Sequence, residues 1–200
     1  MRSDSIVFAV AGMCFGVILG WVIGVQQAGQ TSAALTTAVP AGEAAGGAPQ
    51  APPLDEARVQ SLMTVIKNDP ENAGAALQLA NTYFDVQQYA EAITWYEESL
   101  RIDPSNPDAS TDLGISYYYS GLTDRALEQF DVSLTLDPRH TKTMLNQGMV
   151  LAFGRQNLAG AQAAWQQVVT LAPNSPEGQA ASQALEGIAA AGHDAAAPGG

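Results

Sequence analysis

Cysteine is all but absent from this 200-residue chain. The single Cys14 lies in an apolar run, so no disulfide is available and cysteine usage says nothing about the redox compartment. The two histidines, His140 and His193, have no second ligand at a metal spacing, so both are expected to be solvated and no metal is expected. The sequence has no glycine-rich phosphate loop, no HExxH, no CxxC and no GxSxG. Adjacent carboxylates such as Glu97 and Glu98 diverge by about 100° on a helix and cannot bracket a substrate. Neither catalysis nor a cofactor is therefore expected. Basic residues are also scarce: 8 Lys and Arg stand against 20 Asp and Glu, for a net charge of −12. That sign opposes nucleic acid and anionic lipid.

What is present begins with an uncharged apolar run of 20 residues, Ile6 to Val25. At about 1.5 Å per residue it matches the hydrocarbon thickness of a bilayer and predicts a transmembrane helix. A cleaved secretory signal is the competing reading, but its apolar core would be only roughly 7–15 residues long. Cys14 reads as a buried membrane thiol, because Phe15 to Val25 continue the apolar run behind it. Arg2 precedes the span and the next basic residue is Arg58, so the positive-inside rule leaves the N-terminus in the cytoplasm and the remainder outside. The expected location is the inner membrane, single-pass, with a periplasmic domain. Gly12, Gly16, Gly20 and Gly24 fall on one face of this helix, a small-xxx-small seam through which a second copy could pack. The anchor is taken as residues 1–27. Residues 28–53 are rich in Ala, Gly, Pro, Ser and Thr and predict a disordered linker; residues 189–200 predict a disordered tail.

Between them, residues 54–188 repeat themselves. Ala73–Pro104 overlays Pro107–Pro138 at a spacing of 34: Leu79-Ala80 with Leu113-Gly114, Tyr83 with Tyr117, Ala92 with Ala126, Tyr96 with Phe130, Asp103-Pro104 with Asp137-Pro138. Ala76, Leu79, Ala80 and Tyr83 recur at i, i+3, i+4 and i+7, as do Ala92, Tyr96, Ser99 and Leu100, so each copy predicts two amphipathic helices. Asp-Pro ends the second helix, since the residue before proline is pushed out of the helical region. A third copy follows with Gly148, Ala161, Trp165 and Pro173, at a spacing of 35; the extra residue is expected in the turn around Asn157–Gly160, where an insertion costs little. Leu62, Val65 and Ile66 predict a lone second helix before the array, and Glu177–Ile188 a lone closing helix after it.

This pattern of leucine-glycine, tyrosine, alanine, aromatic and proline resembles the tetratricopeptide repeat (TPR). The resemblance implies an all-α solenoid of about three helical hairpins (73–106, 107–140 and 141–175) with half-repeats at both ends. It also implies a concave face that binds a protein or peptide. In the family's register that face comprises Leu77, Asn81, Phe84 and Asp85, then Thr111, Ile115, Tyr118 and Tyr119, then Lys142, Leu145, Met149, Ala152 and Phe153. Either these apolar side chains anchor a partner, or the flanking helices cover some of them. The family's carboxylate clamp is matched only at Asn81 and Lys142; Leu77, Asp112 and Asn146 depart from it. Three functions fit: a tethered binding module, an assembly subunit of the kind used in bacterial cytochrome c maturation, and a self-associating scaffold.

Overall fold

The structure is a computed structural model and describes residues 51–196, with side chains through 191. The expected anchor with its glycine seam and the linker as far as Gln50 lie outside those residues, and the His193 side chain lies outside the described side chains. No helix among the described residues is long and apolar enough to cross a membrane.

Among the described residues eight α-helices follow one another: α1 (Glu56–Asn68), α2 (Ala73–Asp85), α3 (Tyr89–Ile102), α4 (Pro107–Tyr119), α5 (Thr123–Leu136), α6 (Thr141–Met149), α7 (Leu158–Leu171) and α8 (Pro176–Ala196). A π-helical turn, Val150–Gly154, extends α6. Asparagine starts three of them: the side chains of Asn72, Asn106 and Asn157 accept the amides of Ala75, Ala109 and Gly160, satisfying first-turn donors that lack a helical partner. Each pair α2–α3, α4–α5 and α6–α7 is an antiparallel hairpin, and successive hairpins stack so that each first helix also packs on the preceding second helix.

The hairpins close because small residues face large ones. Ala92, Ala126 and Ala161 are fully buried where the second helix meets the first, and Tyr96, Phe130 and Trp165 fill the space one turn on. Gly114 and Gly148 lie directly beneath the Phe130 and Trp165 rings. Serine completes the seam: Ser99 donates to the Ala73 carbonyl at 3.0 Å and Ser133 to the Pro107 carbonyl at 2.9 Å.

The extra residue of the third repeat is not in the Asn157–Gly160 turn. The left-handed residue that ends each first helix is Gln87 (φ 62°), Gly121 (φ 79°) and Gln156 (φ 54°), a spacing of 34 and then 35. The amide of Gln88 bonds back to Tyr83 and that of Leu122 to Tyr117, five residues each, whereas Asn157 bonds back six residues to Leu151. The insertion therefore falls between Leu151 and Gln156, where the helix absorbs it as a π turn and keeps its backbone hydrogen-bonded. A second difference is at the C-terminus, where α8 runs on to Ala196 instead of ending at Ile188. Its alanine run favours helix intrinsically.

Both ends of the array are half-repeats. α1 has the register of a second helix, with Leu62 packed against Ala75 and Leu79. Arg58 stands where the complete repeats place a buried alanine, and Val65, at the seam serine's position, is 40% exposed. α8 has the register of a first helix. Ala180 and Ala181 bury against the preceding hairpin, while the positions that would face a following helix are Gln179, Ser182, Gln183 and Glu186, none of them buried.

Candidate functional site

The first helices α4 and α6 pack against each other and α2 meets α4 through Phe84 and Tyr119; in stacked helical hairpins the inner faces of such helices line the concave side, the groove. At the C-terminal ends of α2 and α4 the groove wall is aromatic. Tyr89 stacks on Tyr119 with ring centroids 4.9 Å apart and planes 19° apart. The Phe84 ring meets Tyr89 edge-on at 5.5 Å and Tyr119 at 6.4 Å. Tyr118 continues the wall 5.6 Å from Tyr119. All four are only partly buried, so part of each ring remains available although Tyr89 and Tyr119 cover one face of each other. Burial raises the Tyr119 phenol to about 12, with Tyr89 and Tyr118 adding to the shift, so it stays a neutral hydrogen-bond donor at any physiological pH.

The floor beside this wall is polar. Tyr96 donates its hydroxyl to the Asn81 side-chain oxygen at 2.6 Å. Burial, with the nearby negative charges of Asp112 and Asp85, pushes the Tyr96 phenol far above its ordinary range. One helix further on, Lys142 holds Asp112 at 2.8 Å and reaches Asp108 at 3.7 Å. Asp112 has a side chain only one-fifth exposed, and burial raises its carboxyl despite the Lys142 ammonium. Asp85 is likewise raised by burial, against the attraction of Arg58.

Not every expected groove residue reaches the surface. Thr111, Ile115, Met149 and Ala152 are buried in the core between adjacent hairpins. Thr111 is the centre of a hydroxyl cluster, 2.6 Å from Thr143 and 3.0 Å from Ser133. Its hydroxyl satisfies neighbouring helices and cannot meet a partner. The π turn shifts the helical phase from Val150 onward, so a constant-phase register misassigns Ala152, while Met149, just before it, is buried by the stacking of neighbouring helices. Leu77, Asn81, Phe84, Tyr118, Tyr119, Lys142, Leu145 and Phe153 keep partial exposure.

His140, expected to be solvated, is a structural link: its side chain is 16% exposed, Nδ1 lies 2.6 Å from the Thr143 hydroxyl and Nε2 3.4 Å from Asp108. Sequence reasoning missed Tyr89 altogether. Phe84 five residues earlier was the available signal, since a short turn returns the chain to the same edge of the groove. Among the described residues no group of three or more His, Cys, Asp or Glu side chains is placed to hold a metal ion.

Two family models match the array, a TPR repeat over residues 80–121 and a tetratricopeptide repeat over residues 111–176. Residues 80–176 are tetratricopeptide repeats. No curated protein sequence matches it. Among solved structures, this chain is similar to the first TPR domain of Spaghetti (RPAP3) bound to the HSP90 peptide SRMEEVD, at 27% identity and a TM-score of 0.55, over 62% of this chain and 96% of that one. The TPR domain of Sgt2 from Aspergillus fumigatus is similar at 22% identity and a TM-score of 0.55, over 64% of this chain and 86% of that one. A crystal structure of MamA is similar at 16% identity and the same TM-score of 0.55, over 69% of this chain and 88% of that one. At those two lower identities the likeness concerns the fold. The TPR architecture makes this chain a protein-interaction module of a class that is typically a non-enzymatic scaffold.

Proposed function

We propose that this TPR protein is tethered to the inner membrane by residues 1–27 and binds a segment of another protein in its concave groove, outside the cytoplasm. The observation that carries the binding reading is the partly exposed aromatic wall of Phe84, Tyr89, Tyr118 and Tyr119. Aromatic side chains supply large contact area at low conformational cost and dominate binding energy where they cluster. The apolar span from Ile6 to Val25 and the low-complexity stretch after it support the tether.

RPAP3's first TPR domain holds SRMEEVD, a peptide in which three acidic residues face one arginine. Its 27% identity supports peptide binding here, but not the same peptide. Leu77 and Asn146 offer no positive charge, and the Lys142 ammonium is already engaged by Asp112 and Asp108. An acidic tail would meet carboxylates instead of a cationic cradle.

Two measurements test the reading. A reporter fused to the C-terminus that is active only outside the cytoplasm must be active; activity of a cytoplasmic reporter instead would overturn the topology. A photo-crosslinking amino acid at Tyr119 should capture a partner that the same probe at Glu128, on the outer surface of α5, does not. Equal capture at both positions would remove the groove from the proposal. A captured subunit of a cytochrome-assembly complex would favour the assembly reading, and capture of the chain itself the scaffold reading.

A further inference from the structure

Resting on the groove reading, we infer that the partner engages this groove through lysine or arginine side chains, which stack on the tyrosine wall and pair with the carboxylates beside it.

Three observations converge. First, the wall presents phenol rings, and a guanidinium or ammonium is attracted to such faces. The chain already makes this contact once: the Arg125 guanidinium sits 4.0 Å above the Tyr117 ring, away from the groove, and donates to its hydroxyl and to Glu97. Second, Asp85 follows Phe84 at the C-terminal end of α2 and is exposed, and Asp112 faces the groove floor from α4 with its side chain one-fifth exposed against Lys142; the negative charges of both bear on the Tyr96 hydroxyl between them. Asp108, one turn before Asp112 in α4 and with 63% of its side chain exposed, extends the acidic strip away from the wall. Third, the positive charges nearby do not balance them. Lys142 spans Asp112 and Asp108, His140 leans on Asp108 through Nε2, and Arg58 reaches Asp85 only as a weaker, distant attraction opposing its burial. A peptide with a cation at this point would complement the local charge, and a peptide carboxylate would be repelled.

An aromatic surface lined by carboxylates discriminates by sign. Hydrophobic anchoring alone accepts an apolar segment of any charge, whereas this geometry favours an apolar segment punctuated by Lys or Arg. A nucleic acid is excluded by the same sign.

The test uses the full 200-residue chain in a non-ionic detergent and a synthetic array of 12-residue peptides. Each spot fixes Arg, Lys, Asp or Glu at one central position and is randomised elsewhere. The expected result is Arg and Lys spots roughly 5-fold or more above Asp and Glu spots, falling as salt is raised from 50 to 500 mM, as screening requires. The best arginine peptide should lose about 10-fold in affinity when that arginine becomes citrulline. Asp85→Lys, at an exposed site, should weaken this peptide and rescue its Arg→Glu version, an exchange that a general loss of folding cannot produce. Equal signal on all four spot types, with binding lost in Tyr119→Ala, would overturn the charge inference and leave the groove. Binding unaffected by Tyr119→Ala and Phe84→Ala would overturn both.

Discussion

Gly148 shows how tightly this fold is specified at single atoms. A Cβ at Gly148 would land on the Trp165 indole, whose Nε1 is committed to the Leu145 carbonyl at 3.0 Å, and one at Gly114 would lie 2.5 Å from the Phe130 ring. Neither ring can retreat without losing the packing of its hairpin. Gly148→Ala and Gly114→Ala should each destabilise the domain by about 1–3 kcal/mol in urea unfolding. Gly74→Ala meets nothing nearer than 3.6 Å and should be neutral or stabilising by up to about 1 kcal/mol. The left-handed glutamines offer the reverse case. Gln156→Gly removes a backbone strain at φ 54° and should stabilise by roughly 0.5–1 kcal/mol, detectable as a raised denaturation midpoint. Asp112 gives a pH signature. Burial raises its carboxyl, so the folded state holds its proton more tightly than the unfolded state, and this stabilisation is lost as pH rises above about 4. As pH rises above about 4 the thermal midpoint of the wild type should fall relative to that of Asp112→Asn; a parallel pair of curves would mean that the carboxyl is not raised.

At the scale of elements, the π turn decides how the third repeat is built. It widens one helical turn by a residue, and α7 then begins at an asparagine cap, Asn157, that the second helices of the regular repeats lack. Deleting Gly154 removes that residue and should leave a helical domain melting within a few degrees of the wild type. Deleting Asn157 instead removes the cap that accepts the Gly160 amide and should cost about 1 kcal/mol or more. The pair, compared by circular dichroism melts, distinguishes an insertion in the helix from one in the turn. The hairpins were legible in the sequence because Ala92, Tyr96 and Asp103-Pro104 recur at one fixed distance. The π turn was not, since a spacing of 35 says that a residue is added and not where. Nor was the burial of Thr111 and Ile115, because a register fixes the face of an isolated helix while the stacking of the next hairpin decides how much of that face stays open. His140 was misjudged for a related reason: its partners Thr143 and Asp108 are 3 and 32 residues away, and only the stacked helices bring the second one close.

For the whole molecule, the core is continuous from α2 to α8 and its stability is therefore shared between neighbouring units. α8 covers the last hairpin by burying Ala180 and Ala181 against it and turning Gln179, Gln183 and Glu186 outward. A chain ending at Pro173 would bare the surface under Ala181. It should melt several degrees lower and show concentration-dependent association in size-exclusion chromatography. Self-association through array ends is opposed in the intact chain by those polar positions at one end and by Arg58 at the other. Any dimer would therefore have to use another surface.

Arg58 and the glutamines of α8 also constrain how such a protein could be lengthened. A hairpin appended in front of α1 would have to push its backbone against a guanidinium, and one added behind α8 would find amides where it needs carbon. A 34-residue block duplicated inside the array, from Pro107 to His140 for instance, meets an ordinary hairpin on both sides. Growth from within is the only extension that needs no new termini.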